Sequence, residues 1–183
     1  MTEALEQAIS VFKDLHALGD DIEHAAHMAV ASLRAGNKLL ICGNGGSACE
    51  AQHLAGELAG RYKHDRRALA AVSLNADGAV LTCIGNDYHF EDVFARQLEA
   101  IGRPGDLLIV FSTSGESPNI LRALETAKLL GLPSLAFLGR DGGMAAALAT
   151  LALIVRHSDT ARIQEAHQFL MHCLMDHIEK DLE

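Results

Sequence analysis

The feature that most constrains the fold is a repeated alternation of short apolar runs with helical segments. The apolar runs occupy residues 38–42, 70–74, 107–111, 134–138 and 152–155. Each run is followed by a polar or glycine-bearing turn, and most are then followed by a segment with apolar residues at helical spacing. Short apolar strands that alternate with helices predict an α/β fold, in which helices cover both faces of a parallel sheet.

The two ends of the chain carry longer helical patterns. Residues 2–35 have apolar residues at helical spacing, and Gly19-Asp20 is a plausible break, so a pair of amphipathic helices is expected there. Residues 160–181 form one long helical pattern. No linker or repeat divides the 183 residues, so one domain spanning 1–183 is expected.

Charge and cysteine usage exclude several classes of protein. The net charge of −9 disfavours nucleic acid or an anionic membrane as the main partner. No apolar run approaches the ~20 residues that are needed to span a bilayer. The cysteines are scattered without a Cys-x-x-Cys pair, which favours free thiols in a reducing compartment. We therefore expect a cytoplasmic protein that binds neither nucleic acid nor membranes.

Two loops rich in glycine and serine follow predicted strands and open helices. The first, 43–47, contains three glycines, and a helix 48–62 is expected after it. The second, 112–119, places Ser117 at an N-cap position and Pro118 at the first helical position. Ligands of parallel sheets lie beyond the carboxyl ends of strands, and helix N-termini attract anions. The loops therefore favour a phosphate site, although each alone also suits a simple tight turn.

Histidine and glutamate side chains mark candidate chemistry on two helices. His53 and Glu57 are four residues apart and share one helix face, which suits an acid–base pair or two metal ligands, although such a pair taken alone is usually just part of a solvated face. His172 lies among apolar residues of the last helix, where the residues alone favour a core role over a functional one. Gln164 precedes it by eight residues, which is ~12 Å along a straight helix.

Five motifs occur in order along nearly the whole chain. They are residues 43–48 (GNGGSA), 51–55 (AQHLA) with Glu57, 84–87 (IGND), 112–115 (STSG) with Ser117, and 160–167 (TARIQEAH). In combination they resemble the phosphoheptose isomerase family of the sugar isomerase (SIS) superfamily. Two positions depart from the pattern of that family, Glu116 and Ala161.

The resemblance implies a five-stranded parallel sheet, a homotetramer with active sites at subunit interfaces, and one zinc ion in each site. It implies aldose–ketose isomerisation of sedoheptulose 7-phosphate, with Glu57 as base and His172 as acid. The implied zinc ligands are His53, Glu57, Gln164 and His172. The implied substrate-binding residues are Asn44, Gly45, Ser47, Arg61, Asp87, Ser112, Thr113, Ser114, Ser117 and Gln164, of which the serines bind the phosphate.

Two alternatives remain open at this point. Some SIS proteins with similar motifs are non-catalytic binding proteins, such as one that associates with a replication initiator, but those relatives lack the acid–base pair. Another alternative is isomerisation of a different sugar phosphate, such as arabinose 5-phosphate. The apolar surface of the terminal helices also exceeds what a small sheet needs, which predicts contacts with partner subunits. Which subunit supplies each site residue is left open.

Overall fold

The sheet has five strands, all parallel to their neighbours. A computed structural model describes residues 1–182, and the strands lie in the order β2-β1-β3-β4-β5. The strands are β1 (Leu39–Gly43), β2 (Ala71–Ser73), β3 (Leu107–Ser112), β4 (Ser134–Gly139) and β5 (Leu151–Val155). The predicted five-stranded parallel sheet is confirmed, and every predicted strand boundary lies within one residue of the observed one.

The helices are α1 (Thr2–Asp14), α2 (Gly19–Arg34), α3 (Gly46–Ala59), α4 (Gly78–Asp87), α5 (Ala95–Ile101), α6 (Pro118–Leu129), α7 (Gly143–Leu148) and α8 (Thr160–Leu182). The N-terminal helical pair and the long last helix are confirmed. The break in the pair is a 3₁₀ turn over Leu15–Leu18, slightly earlier than expected, and Gly19 is instead the first residue of α2. The helix predicted at 48–62 instead begins at Gly46 and ends at Ala59, with Gly60 after it.

The two faces of the sheet carry separate apolar clusters. Leu39 and Ile41 point into a cluster formed with α1, α2, α3 and α8. Leu40 and Cys42, which alternate with them along β1, point into the cluster on the opposite face. All five residues of β1 are buried. The continuous apolar runs in the sequence therefore reflect a sheet covered on both faces.

The strand order places two loops beside each other. The chain passes from β1 outward to β2 and then returns to β3 on the other side of β1. The loops that follow β1 and β3 therefore meet at the carboxyl edge of the sheet, where ligands of this architecture bind.

Within residues 1–182, no helix is both long and apolar enough to cross a membrane.

Candidate active site

A reciprocal pair of amide hydrogen bonds joins the loops after β1 and β3. Asn44 Nδ2 donates to Asn119 Oδ1 at 2.8 Å, and Asn119 Nδ2 donates to Asn44 Oδ1 at 2.8 Å. Asn119 lies in the first turn of α6 and is only 2% exposed. The pair therefore fixes the two loops at one spacing. Asn119 was not among the predicted site residues, although it belongs to the second loop.

The loop after β1 is shaped by a neighbouring side chain and by one glycine. Asn75, which follows β2, accepts from the Gly43 N–H at 3.1 Å and donates to the Gly43 carbonyl at 2.8 Å. Gly45 has a φ of +57°, which glycine adopts without strain. The chain then enters α3 at Gly46, and Ser47 lies buried in its first turn.

The loop after β3 forms the wall of a small cavity. Ser112 Oγ accepts from the Gly115 N–H at 3.1 Å, and Ser114 Oγ accepts from the Glu116 N–H at 3.2 Å. Ser117 is the N-cap residue of α6 as predicted, and within residues 1–182 its side chain makes no capping hydrogen bond. The cavity has a volume of about 40 Å³ and is lined by Asn44, Ser47, Phe111, Ser112, Thr113 and Ser117. It combines three serine hydroxyls with a helix N-terminus, a combination that suits a small anion.

Glu116 does not line this cavity. Its Oε1 accepts from the Met144 N–H at 2.8 Å, in the first turn of α7. The carboxylate that departs from the family pattern is thus held at α7.

A second polar cluster lies between α3 and α8. His53 Nε2 is 3.0 Å from Glu57 Oε1, one helical turn along α3. The rings of His53 and His172 have centroids 5.3 Å apart. Gln168 Nε2 lies between the two imidazoles, 2.8 Å from His53 Nδ1 and 3.1 Å from His172 Nε2. Glu57 and His172 of one chain therefore lie in one cluster, as an acid–base pair requires.

The surroundings of His172 favour its neutral form. The pKa of His172 is lowered below the ordinary value of 6.5. Partial burial is the main cause, and the nearby His53 adds to it. The Tyr62 ring stacks on the imidazole with centroids 5.6 Å apart and ring planes at 17°. A neutral imidazole has one donor and one acceptor nitrogen, so it is able to relay a proton between two oxygens.

The other predicted residues are distributed around these two groups. Gln164 lies against Gly46, the first residue of α3, and not between His53 and His172. The reason is the helical rise of ~12 Å between Gln164 and His172. Gln168, one turn from His172, occupies the position between the imidazoles. Arg61 and Asp87 are exposed, Arg61 after the end of α3 and Asp87 at the end of α4.

The second cluster contains side chains of the types that bind metal ions. Among residues 1–182, no three His, Cys, Asp or Glu side chains already stand in a metal-holding arrangement. However, His53 Nδ1 and His172 Nε2 both face the Gln168 amide nitrogen, so two imidazole lone pairs converge on one point. Imidazole nitrogen and carboxylate oxygen are ligands that zinc accepts, and the residue types therefore fit this ion.

A buried pair lies under the same helices. The side chains of Glu50 and His167 are buried, and Glu50 Oε2 is 3.8 Å from His167 Nδ1. His167 Nε2 donates to the Leu138 carbonyl at 3.0 Å, so in a neutral ring Nδ1 is an acceptor that faces the carboxylate. Among the described residues, neither Glu50 Oε2 nor His167 Nδ1 has a hydrogen-bond partner.

For a neutral His167 ring, replacing Glu50 by Gln is expected to raise the free energy of unfolding by about 1 kcal/mol, because the amide N–H would satisfy His167 Nδ1. Urea denaturation measures the change. Glu125→Gln on the exposed face of α6 serves as control and should differ from wild type by less than about 0.5 kcal/mol. A loss of stability in Glu50→Gln would show that the carboxylate itself is required at this position.

A cavity at the carboxyl edge of a parallel sheet that suits an anion, together with a cluster on the covering helices that suits acid–base chemistry, is typical of enzymes that act on small phosphorylated molecules. Sequence and structure comparisons agree with this class. The SIS domain family model matches residues 5–139. A phosphoheptose isomerase of Helicobacter pylori (strain P12) is 49% identical over 97% of this chain and 93% of its own length.

Solved structures give the same result. The phosphoheptose isomerase from Neisseria gonorrhoeae aligns with a TM-score of 0.92 and 40% identity, and that from Francisella tularensis with a TM-score of 0.95 and 37% identity. Both alignments cover 98% of this chain and 96% of the other. The chain belongs to the phosphoheptose isomerase family of SIS-domain proteins.

Proposed function

We propose that the protein converts sedoheptulose 7-phosphate to D-glycero-D-manno-heptose 7-phosphate, for the synthesis of heptose in lipopolysaccharide core or another surface glycan. The observation that carries the proposal is the placement of Glu57 and His172 in one cluster, with Glu57 on the helix whose first turn borders the serine-rich cavity. Membership of the phosphoheptose isomerase family supports the same substrate.

The spacing of the two clusters favours a long substrate. Ser47 at the cavity and His53 in the polar cluster are both on α3, and six residues of helix correspond to a rise of about 9 Å. A ligand that fills both clusters must therefore be extended. Sedoheptulose 7-phosphate carries its reacting carbonyl end and its phosphate at opposite ends of a seven-carbon chain, so it meets this requirement.

The reaction moves one proton between carbons and one between oxygens. The Glu57 carboxylate removes the proton from the hydroxyl-bearing carbon C1 of the ketose, and the C–H electron pair forms the enediol double bond. His172 donates a proton to the carbonyl oxygen O2 and accepts the proton from O1. Glu57 then returns its proton to C2, which gives the aldose, and both side chains regain their starting protonation states.

We further propose one zinc ion in each site. His53 and His172 would hold it through the nitrogens that face Gln168, and Glu57, whose Oε1 contacts His53 Nε2 on the other side of that ring, would have to turn toward the same point. Gln164, the fourth ligand that the resemblance implies, would need to leave its position beside Gly46. When bound, zinc supplies a positive charge that polarises the substrate carbonyl. Elemental analysis of the purified protein, with His53→Ala as comparison, tests this assignment.

A coupled assay with a panel of sugar phosphates tests the function. Turnover of sedoheptulose 7-phosphate well above that of arabinose 5-phosphate and hexose phosphates is expected. Preference for a shorter sugar phosphate would overturn the substrate, and no turnover of any of them would favour a binding protein.

Replacing Ser114 by Ala is expected to raise KM more than it lowers kcat. The hydroxyl lies in the loop that borders the cavity, and a phosphate contact is present in both the bound ground state and the transition state. Steady-state kinetics measures both constants. Thr126→Ala, at a buried position on α6 away from the cavity, is the control. Equal turnover of unphosphorylated sedoheptulose would contradict the phosphate assignment.

We also propose a homotetramer in the cytoplasm, with active sites at subunit interfaces. Leu5, Ile9 and Phe12 on α1 are exposed, and the Phe12 ring contacts the exposed Phe169 of α8 with centroids 5.2 Å apart. This apolar stripe supports burial against another subunit. The described cysteines are free thiols, which supports a reducing compartment. Light scattering measures the assembly.

A further inference from the structure

A buried carboxylate holds the segment that follows α3. Glu179, on α8, is 2% exposed. Its Oε1 accepts from the Tyr62 N–H at 3.3 Å, and its Oε2 accepts from the N–H groups of Lys63 and His64 at 3.1 and 3.2 Å. Burial alone would raise the pKa of Glu179, but these N–H groups and the Arg66 guanidinium outweigh burial and lower it. Glu179 is therefore a charged acceptor for three consecutive backbone donors.

Arg66, which pairs with this carboxylate, also binds the C-terminal end of α3. Arg66 Nε donates to Glu179 Oε1 at 3.1 Å, and the two side chains are 7% and 3% exposed. Arg66 Nη2 donates to the Glu57 carbonyl at 2.7 Å, and Nη1 donates to the Leu58 carbonyl at 3.0 Å. Carbonyls in the last turn of a helix lack partners within the helix. Arg66 therefore caps α3 at the residue that carries the proposed base.

The same network reaches the proposed acid. Glu179 fixes the backbone of Tyr62, and the Tyr62 ring stacks on the His172 imidazole. Residues 62–64, the end of α3 and the face of α8 are thus tied together by one ion pair. Neither Glu179 nor Arg66 is among the residues that touch the serine-rich cavity.

We propose that the buried Glu179–Arg66 ion pair is a positioning device that sets Glu57 and His172 relative to each other. It acts on Glu57 through the backbone of α3 and on His172 through the Tyr62 ring. The proposal rests on the acid–base roles assigned above. Neither residue is a catalytic residue, because neither contacts the proposed reacting groups with its own charged atoms.

Glu179→Gln is the direct test. The carboxamide keeps the shape of the side chain and one acceptor oxygen, but its NH2 group takes the place of the other oxygen and faces either the Tyr62 N–H and Arg66 or the N–H groups of Lys63 and His64, so the segment shifts. A displacement of about 1 Å in an acid–base pair costs on the order of 10- to 100-fold in rate, so kcat should fall by that factor. KM should change little, because the phosphate loops are untouched.

Asp106→Asn is the matched control. Asp106 is 1% exposed, accepts from the Lys38 and Arg103 N–H groups at 3.0 and 2.8 Å, and pairs with the Lys38 ammonium. This ion pair lies at the amino ends of β1 and β3, and the hydrogen bonds of the Asp106 carboxylate go to Lys38 and Arg103, not to α3, α8 or residues 62–64. The control should lose stability in thermal melts as Glu179→Gln does, but should keep the kcat of wild type.

A double-mutant cycle separates positioning from general loosening. If the ion pair acts through the base, Glu179→Gln should lower kcat much less in a Glu57→Gln background than in wild type. Equal factors in both backgrounds, or a wild-type kcat in Glu179→Gln, would overturn the proposal while leaving the proposed function intact. If wild type turned over no sugar phosphate, the proposed function would fail first and the positioning role with it.

Tyr62→Leu gives a second test that does not depend on the ion pair. It removes the ring stacked on His172 but keeps the backbone N–H that Glu179 binds. A fall in kcat with little change in KM is expected, and an unchanged kcat would overturn the role assigned to Tyr62.

Discussion

Replacing Glu57 by Gln is expected to lower kcat by a factor on the order of 10²–10⁴, the usual contribution of a general base. The carboxamide keeps the size of the side chain but cannot accept the proton of the substrate carbon. Glu57 is only partly buried, and its Oε1 contacts His53 on the same helix. The fold should therefore survive, and circular dichroism together with light scattering would verify this alongside the kinetics.

Glu99→Gln provides the control for this variant. Glu99 is exposed on α5, which covers the other face of the sheet from α3, and its replacement should leave kcat unchanged. Isomerisation by Glu57→Gln at close to the wild-type rate would contradict the mechanism. Another residue of the cluster would then have to act as the general base.

The sheet was predictable because its signal is local. Each strand is an uninterrupted apolar run, and the two glycine- and serine-rich loops directly follow β1 and β3 in the sequence. A strand that is buried on both faces has no alternating polar residues, so its first and last residues are easier to recognise in the sequence. His53 and Glu57 were also predictable as a pair, since residues four apart on a helix always share a face.

The remaining parts of the site depend on contacts between distant segments. Gln168 lies between His53 and His172 because α8 is rotated about its axis so that this residue faces α3. Spacing in the sequence does not determine that rotation. The pair formed by Asn44 and Asn119 depends on the adjacency of β1 and β3. Arg66 and Glu179 are 113 residues apart, and their charges look like ordinary surface charges until α8 covers them.

The position of Gln168 could have been predicted in part from the sequence. It lies four residues before His172 and therefore shares its helix face. A search for polar residues one turn from His172, rather than for a match at Gln164, would have found it. The burial of Glu50 against His167 had no comparable signal, because a charged residue in the first turns of a helix is usually solvent-exposed.

Replacing His172 by Ala is expected to lower kcat by on the order of 10²–10⁴, because the variant loses the group that moves the oxygen-bound proton. Mixing this chain with Glu57→Gln chains should not restore activity. The structure brings His53, Glu57 and His172 of one chain together, so each mixed oligomer would still contain only sites that lack one of the two groups.

The mixing experiment needs verified subunit exchange. Chains with two different affinity tags, co-expressed and purified over both tags in turn, would supply mixed oligomers. The sequence had left open whether Glu57 and His172 of one site come from different chains, because Gln164 and His172 are ~12 Å apart on one helix. Recovery of a substantial part of the wild-type activity would show that they do, and the intrachain cluster would then not be the reacting pair. Absence of recovery, with each parent variant equally inactive, would leave the subunit interface to supply only binding residues such as Arg61 or Asp87.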